Sequence, residues 1–319
     1  MLYYIYHTDK GANNKTIPII IDTDPGIDDI IAISAALHSK ELDVRLITTI
    51  GGNVGIEHTT QNALDIVSYF HSNTPVAKGV DKPLINTLET AEHVHGQNGI
   101  GNAQINTTLH NDILEEHAVI SMRDTILNSE EPITLVPIGP LTNIGLLFSL
   151  FPETKKNIKR IVLMGGAAVG GNATPVAEFN IFVDPHAAKI VFNQDIPIVM
   201  CGLDVTRETM INKDDLNIIQ TQGDFGKVII DMLSSYNDVN AGEEHEHIIH
   251  DLCTIFYLLY PEMFTTERAN VSVITEGQAA GCTYTEFSDE GKVEVCMNAQ
   301  NKQFREKFVD FIKAIHQNQ

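Results

Sequence analysis

The sequence predicts an α/β protein with an open, mostly parallel, doubly wound sheet, helices on both faces and a small antiparallel addition. Two observations predict this. Short runs of β-branched residues alternate with longer amphipathic runs, the rhythm of successive βαβ units. Each of the five clearest strands then runs straight into a polar, Gly-rich segment, as happens where the carboxyl ends of parallel strands frame a ligand crevice. No Pro/Ser/Gly-rich linker and no internal repeat breaks the pattern, so residues 1–319 read as a single domain with residues 1–16 as an N-terminal extension.

The first strand is Ile17 to Asp22, a β-branched run followed by "DTDPGIDD" and a helix over Ile27 to Leu37. Val44 to Ile50 is the second strand, followed by "GGNVG" and a helix over His58 to Phe70. A helix over Ala118 to Leu127 precedes the third strand, Ile133 to Ile138, which leads through "GPLTN" into a helix over Leu141 to Leu150. Arg160 to Met164 is followed by "GGAAVGGN". The helix over Pro185 to Phe192 opens with Asp184 as its cap and Pro185 at its first position, where proline's fixed φ and missing N–H do no harm. Pro197 to Cys201 then runs into "GLDVTRE". Val271 to Thr275 with Val293 to Met297 reads as the antiparallel addition, and Phe304 to Ile315 as a closing amphipathic helix.

Composition excludes several functions. Lys and Arg number 21 against 42 Asp and Glu, a formal charge of −21, with no basic run to offset it, so nucleic acid and acidic membranes are not expected partners. No apolar run approaches the roughly 20 residues that cross a bilayer. The four cysteines form no CxxC pair, and "MLYYIYHTDK" lacks the basic and apolar regions of a signal peptide, so a reducing cytoplasm is the expected location.

"DTDPGIDD" carries four aspartates in eight residues. Asp22 and Asp24 sit at a strand end, while Asp28 and Asp29 fall in the first turn of the next helix, where carboxylates favour the dipole. Capping accounts for one or two of them. Four beside a crevice repel one another unless a cation sits among them, and an all-oxygen donor set suits a hard ion such as Ca²⁺ or Mg²⁺.

"DTDPGIDD" together with "TTIGGN", "VPIGPLTNIG", "GNATPVAEFNIFVDP" and "HDLCTIFYLLYP", in that order, closely resembles the inosine-uridine-preferring nucleoside hydrolases from about Ile17 to Pro261. The resemblance implies a modified doubly wound fold, one bound Ca²⁺, hydrolysis of the N-glycosidic bond of ribonucleosides to ribose and free base, and a homo-oligomer, tetramer or dimer. Carried onto this sequence, it implies that Asp24, Asp29, Asp251 and the carbonyl of Ile138 hold the ion. Asp24 also serves as general base, Asp28 binds ribose hydroxyls and Asp22 supports the loop. Asn53, Met164, Asn172, Glu178, Phe179 and Asn180 match ribose-binding positions, His250 the leaving-group acid and His95 a second pocket histidine. Tyr236 and Asp238 fall where relatives contact the base.

These residue types suit the reaction. N-glycosidic cleavage develops an oxocarbenium-like ribosyl cation, so it needs an activated water on one face and help for the departing base on the other. "HEHIIHD" also admits a zinc reading, weakened by its Glu-rich setting and the absence of a nearby cysteine; His245 and His247 read as loop residues able to cover the pocket. Two rivals stand. "IIIDTDPG" imitates the strand-end DxD of haloacid-dehalogenase-type phosphatases, with "INKDD" as the one weak partner motif, and a non-catalytic calcium-dependent ribose or nucleoside binding protein needs neither base nor acid. The chain has no tryptophan, so any stacking on the base uses Tyr, Phe or His, and "EGQAAGCTYTEF" lacks an arginine expected beside its glycine. Base preference stays open.

Overall fold

The computed structural model describes residues 16–107, 112–236 and 246–318. The N-terminal extension before residue 16, Asp238 and His245 lie outside the described residues. Among the described residues twelve strands run in chain order: β1 (Ile17–Thr23), β2 (Leu42–Thr49), β3 (Val76–Lys78), β4 (Ile113–Leu114), β5 (Ile133–Pro137), β6 (Ile158–Met164), β7 (Ile198–Cys201), β8 (Met210–Ile211), β9 (His247–Ile248), β10 (Phe264–Val273), β11 (Thr283–Phe287) and β12 (Val293–Ala299). The helices are α1 (Ile27–His38), α2 (Ile56–Tyr69), α3 (Glu92–His95), α4 (Ala118–Asn128), α5 (Thr142–Leu150), α6 (Phe179–Val183), α7 (Pro185–Phe192), α8 (Leu203–Thr206), α9 (Lys213–Ile219), α10 (Gly223–Leu233), α11 (Leu252–Leu259) and α12 (Asn301–Asn318).

Ten strands form one sheet in the order β11-β10-β12-β7-β6-β5-β1-β2-β3-β4, and β8 pairs with β9 in a separate antiparallel ribbon. From β12 to β4 every pairing is parallel, and only β10 and β11 bring antiparallel pairings. From β1 the chain moves outward through β2, β3 and β4, then returns to place β5 on the other side of β1 and moves outward again through β6 and β7. The crossover direction reverses between β1 and β5, and there the strand ends open a crevice.

Alternation along the strands builds two cores. Ile19 and Ile21 of β1, Val136 of β5 and Val162 of β6 face a layer containing α1, α2, α10, α11 and α12. Ile20, Leu135 and Ile161 face the opposite layer, with α4, α5 and α7. The central strands are buried on both faces, which is why they read as continuous apolar runs with no polar alternation. Asp184 caps α7 as expected, its Oδ1 accepting the Ala187 N–H at 2.9 Å.

The antiparallel addition is larger than the sequence reading. β10 begins at Phe264 and pairs with β12 through Phe264 to Ala269, whereas Val271 to Val273 pair with β11, which has no clear apolar period. β12 in turn lies parallel to β7, so the addition extends the main sheet. β3, β4, β8 and β9 are two or three residues long, too short to leave a periodic signal. His247 belongs to β9, opposite Ile211. Among the described residues no helix is long and apolar enough to cross a membrane.

The closing helix packs its apolar stripe onto the α9–α11 side, and a forked contact from Arg305 to Asp215, Nε to Oδ2 at 2.6 Å and Nη2 to Oδ1 at 3.2 Å, ties it to α9. Phe304 and Phe308 are fully buried there. Phe308→Ala should therefore lower unfolding free energy by about 3–5 kcal/mol, read as a reduced urea midpoint at unchanged slope.

Candidate active site

The carboxyl end of β1 delivers the acidic cluster to the crevice. Pairing of β1 with β5 continues one step past the strand, the Ile138 N–H donating to the Asp22 carbonyl at 2.8 Å, which brings the Ile138 backbone beside Asp24. Asp22 faces away and is held in the sheet: its Oδ1 accepts from Thr48 Oγ1 at 2.6 Å and Asn143 Nδ2 at 2.9 Å. Burial pushes its carboxyl up to about 7, against those two hydrogen bonds.

Asp24 is fully buried. Its Oδ2 accepts the Asn53 N–H at 2.6 Å, while its Oδ1 has no hydrogen-bond partner among the described residues. Glycines make this fit possible. A Cβ on Gly52 would lie 2.1 Å from Asp24 Oδ2, and one on Gly139 would lie 2.5 Å from Oδ1. Asp29, in the first turn of α1, accepts from Thr23 Oγ1 at 2.6 Å and from the Gly26 N–H and Asn53 Nδ2, both at 3.0 Å. Asn53 thus binds both carboxylates, with its backbone and its side chain.

Asp251 enters from the start of α11. One carboxylate oxygen from each of Asp28, Asp29 and Asp251 falls within 4.8 Å of the others, and all three residues are buried. Burial raises the Asp24, Asp29 and Asp251 carboxyls above their ordinary range, and the charge of neighbouring carboxylates raises Asp24 and Asp251 further. Of the expected ligand set, Asp29 and Asp251 stand together with Asp28 in this triplet, while Asp24 lies against Asn53 and the two glycines. A buried carboxylate oxygen without a donor, beside three crowded carboxylates, is the environment a hard cation neutralises; the donor set fits Ca²⁺.

The rest of the site faces the cluster across a cavity of about 220 Å³. It is lined by Asp28, Asn53, His95, Ile138, Met164, Asn172, Glu178, Phe179, Asn180, Tyr236, His250 and Asp251, so twelve of the residues singled out from sequence meet there. Asp24, Asp29 and Asp22 lie beneath this wall. Sequence reasoning missed Glu89, Thr90, Ala91, His93, Val94, Ala173 and Phe182, which also line the cavity. The first five lie on or just before the four-residue α3, with no period to announce it; their one signal was nearness to His95.

Glu178 caps α6 and is spent on the backbone: Oε1 accepts the Asn180 N–H at 3.0 Å, and Oε2 accepts those of Gly166 at 2.9 Å and Ile181 at 3.2 Å. Burial raises its carboxyl and these N–H groups oppose the rise. Gly166 reaches Glu178 with φ of 76°, a backbone region that glycine enters without strain. Asn180 Nδ2 donates to the carbonyls of Ile138 at 3.0 Å and Met164 at 3.2 Å, and Asn172 Oδ1 accepts the Phe179 N–H at 2.9 Å.

The two histidines are held differently. His95 Nδ1 accepts the Ile27 N–H at 3.1 Å, so a neutral ring carries its proton on Nε2; the ring packs against Tyr236 with centroids 5.3 Å apart. His250 Nδ1 lies 2.8 Å from Thr206 Oγ1 of α8. Tyr236 also stacks on His247, at 6.4 Å, placing His247 behind the pocket wall.

Residues 19–306 match the family model described as inosine-uridine preferring nucleoside hydrolase. The chain is 45% identical over 287 residues to the non-specific ribonucleoside hydrolase RihC of Salmonella typhimurium, covering 89% of this chain and 92% of that protein. Among solved structures, it is similar to a purine-preferring ribonucleoside hydrolase from Gardnerella vaginalis, with 31% identity, TM-score 0.88 and coverage of 95% of this chain and 100% of that one. It is also similar to the plant nucleoside hydrolase PpNRh1, with 30% identity, TM-score 0.87 and coverage of 93% and 99%. The chain belongs to the inosine-uridine preferring nucleoside hydrolases and is therefore an N-glycosyl hydrolase.

The glycine packing around Asp24 gives a direct test. Gly52→Ala should cut kcat/KM by roughly 100-fold, because a misplacement of about an ångström at a reacting group costs that much, while the far-UV spectrum stays unchanged. Gly55→Ala, where nothing lies within 4 Å of the added Cβ, should leave turnover as it was.

Proposed function

We propose that this chain hydrolyses purine and pyrimidine ribonucleosides to ribose and free base, with Ca²⁺ held by Asp24, Asp29, Asp251 and the Ile138 carbonyl. The observation that carries the reading is the buried acidic cluster at the β1/β5 strand ends, opening onto a cavity whose lining, among the described residues, includes no Lys or Arg. A cavity of that composition suits a neutral, hydroxyl-rich ligand and disfavours a phosphorylated one. We further read the protein as a single-domain cytoplasmic homo-oligomer, tetramer or dimer, in line with its composition and family.

When bound, the ion supplies Lewis acidity and an anchor for ribose hydroxyls. Asp24 takes the proton of the attacking water at its unpartnered Oδ1. Asp28 accepts from ribose hydroxyls, and Asn53, Met164, Asn172, Glu178, Phe179 and Asn180 bind and orient the sugar. Glu178 and the amide oxygens add negative potential where the ribosyl centre becomes positive. As the bond from C1′ to nitrogen breaks, its electron pair stays with the base, and His250 delivers a proton to that base. His95 and Tyr236 contact the base. Asp22 positions the loop through the hydrogen bonds from Thr48 and Asn143.

Incubation with inosine and with uridine in phosphate-free buffer should release free base and reducing sugar. A phosphorylase would stall there and a binding protein would release nothing, so the absence of both products would overturn the reading.

Metal removal tests the ion. Exhaustive chelation should abolish turnover and Ca²⁺ should restore it; Ca²⁺ should also raise Tm, because it binds the folded state alone. The sign of the pH dependence follows from the raised carboxyls. A folded-state pKa above the unfolded value contributes stability at low pH that is lost as pH rises through the folded value, about 7 for Asp22 and in the same upward direction for Asp24, Asp29 and Asp251. The metal-free protein should therefore lose Tm between about pH 4 and 7, and the increment from Ca²⁺ should grow over that range, since ligation needs the ionised carboxylates.

A further inference from the structure

The short helix α8 has no place in the proposed chemistry, yet it reaches both banks of the cavity. On one side, Asp204 accepts the N–H groups of Ala168 at 2.7 Å and Val169 at 3.1 Å, and Arg207 Nη2 donates to the Gly171 carbonyl at 2.8 Å. Those contacts tie α8 to the loop that carries Asn172. On the other side, the Thr206 hydroxyl meets His250 Nδ1 at 2.8 Å. Thr206 is fully buried, and Nδ1 is the one side-chain partner its hydroxyl has among the described residues.

That isolation sets the direction of the hydrogen bond. A buried hydroxyl proton left without an acceptor is costly. With the His250 ring neutral, Nδ1 is the one acceptor among the described residues for the Thr206 proton, so the ring's own proton sits on Nε2. With the ring cationic, both nitrogens carry protons and the hydroxyl turns to accept from Nδ1. In both states Nε2 bears a proton, and with Nδ1 turned to α8 the ring presents its Nε2 edge to the cavity it lines.

We propose that Thr206 is a positioning residue for hydrolysis: its hydroxyl holds the orientation and resting tautomer of His250 so that a protonated Nε2 faces the base before the bond breaks. The proposal rests on His250 acting as the leaving-group acid. Upon cleavage, the Nε2 proton of the cationic ring passes to a ring nitrogen of the base; the ring left behind holds its remaining proton on Nδ1 only until Nε2 takes a proton from water and Nδ1 gives one up, which restores the resting form with the Thr206 hydroxyl donating to Nδ1. Without the hydroxyl, the ring loses the hydrogen bond that turns Nδ1 towards α8.

The test compares leaving groups. A purine needs the proton, whereas a nitrophenolate leaves well unaided. Thr206→Val should lower kcat on inosine by about tenfold or more, with KM within about twofold and p-nitrophenyl riboside turnover unchanged. Thr206→Ser, which keeps the hydroxyl, should return inosine turnover to within about threefold of wild type. His250→Ala should show the same split between substrates and a larger loss, roughly 100-fold on inosine. If His250→Ala splits the substrates but Thr206→Val matches wild type, or if Thr206→Val slows both substrates alike, positioning by Thr206 is wrong and the acid assignment stands. If His250→Ala shows no split, the acid assignment falls and takes this proposal with it. A readout taken on the wild-type protein itself is the nitrogen-15 spectrum of histidine-labelled protein at a pH where the His250 ring is neutral, with His250 assigned by its loss in a folded His250→Gln variant. Nε2 should be the protonated nitrogen, and a proton on Nδ1 would overturn the proposal.

Discussion

Burying carboxylates at the end of β1 is the constraint around which the structure is arranged. Each of these carboxyls is removed from water, and Asp24 and Asp251 are also crowded by other carboxylates, which alone favours expelling or protonating them. Short, directed hydrogen bonds oppose this: Thr48 and Asn143 on Asp22, Asn53 on Asp24, and Thr23, Gly26 and Asn53 on Asp29. Those donors come from β1 itself, the turn between β1 and α1, β2, the segment after β2 and α5, so the cluster requires its neighbouring strands to end level with one another. The reversal of crossover direction between β1 and β5 supplies the gap into which the cluster opens.

Electrostatics then separates the site into a floor and a wall. The floor is acidic and rigid, its carboxylates fixed by backbone N–H groups and by glycines that leave no room for a side chain. The wall, from Asn172 to Asn180, is made of amides and one carboxylate whose hydrogen bonds are mostly to backbone. Such groups are pre-set before any ligand arrives, the condition under which polar groups stabilise a developing charge most effectively. The histidines enter from separate elements, each with Nδ1 committed to a fixed group, Ile27 N–H for His95 and Thr206 for His250.

Much of this was legible in the sequence because burial writes itself plainly. β1, β2, β5, β6 and β7 are apolar runs ending in glycine and polar residues, and those ends are where the cavity lies. The acidic motif carried its own implication, since four carboxylates in eight residues cannot all be helix caps. What stayed hidden had no local signature. β11 alternates poorly because it is an edge strand with Tyr284 and Phe287 largely exposed. Glu89 and His93 join the cavity through a single-turn helix held by the Ala91 N–H on the Asn53 carbonyl at 2.9 Å, a contact between segments far apart in the chain. The membership of the acidic triplet was equally illegible, because only three-dimensional placement puts Asp28 together with Asp29 and Asp251 within 4.8 Å of one another. Thr206 lay within a segment already marked as crevice-forming, but nothing in "GLDVTRE" says which residue touches His250.

The amide of Asn180 bridges the carbonyls that follow β5 and end β6, so a residue facing the ligand also rivets two adjacent strands at their tips. In many enzymes the functional groups are a liability to the fold, and removing them makes the protein sturdier. Here that bargain runs the other way at this position: trimming the side chain would unpick the sheet's seam and empty the binding surface at once. Selection for durability and selection for turnover therefore pull on Asn180 in the same direction, which leaves it little freedom to drift even in a lineage that no longer needed the reaction.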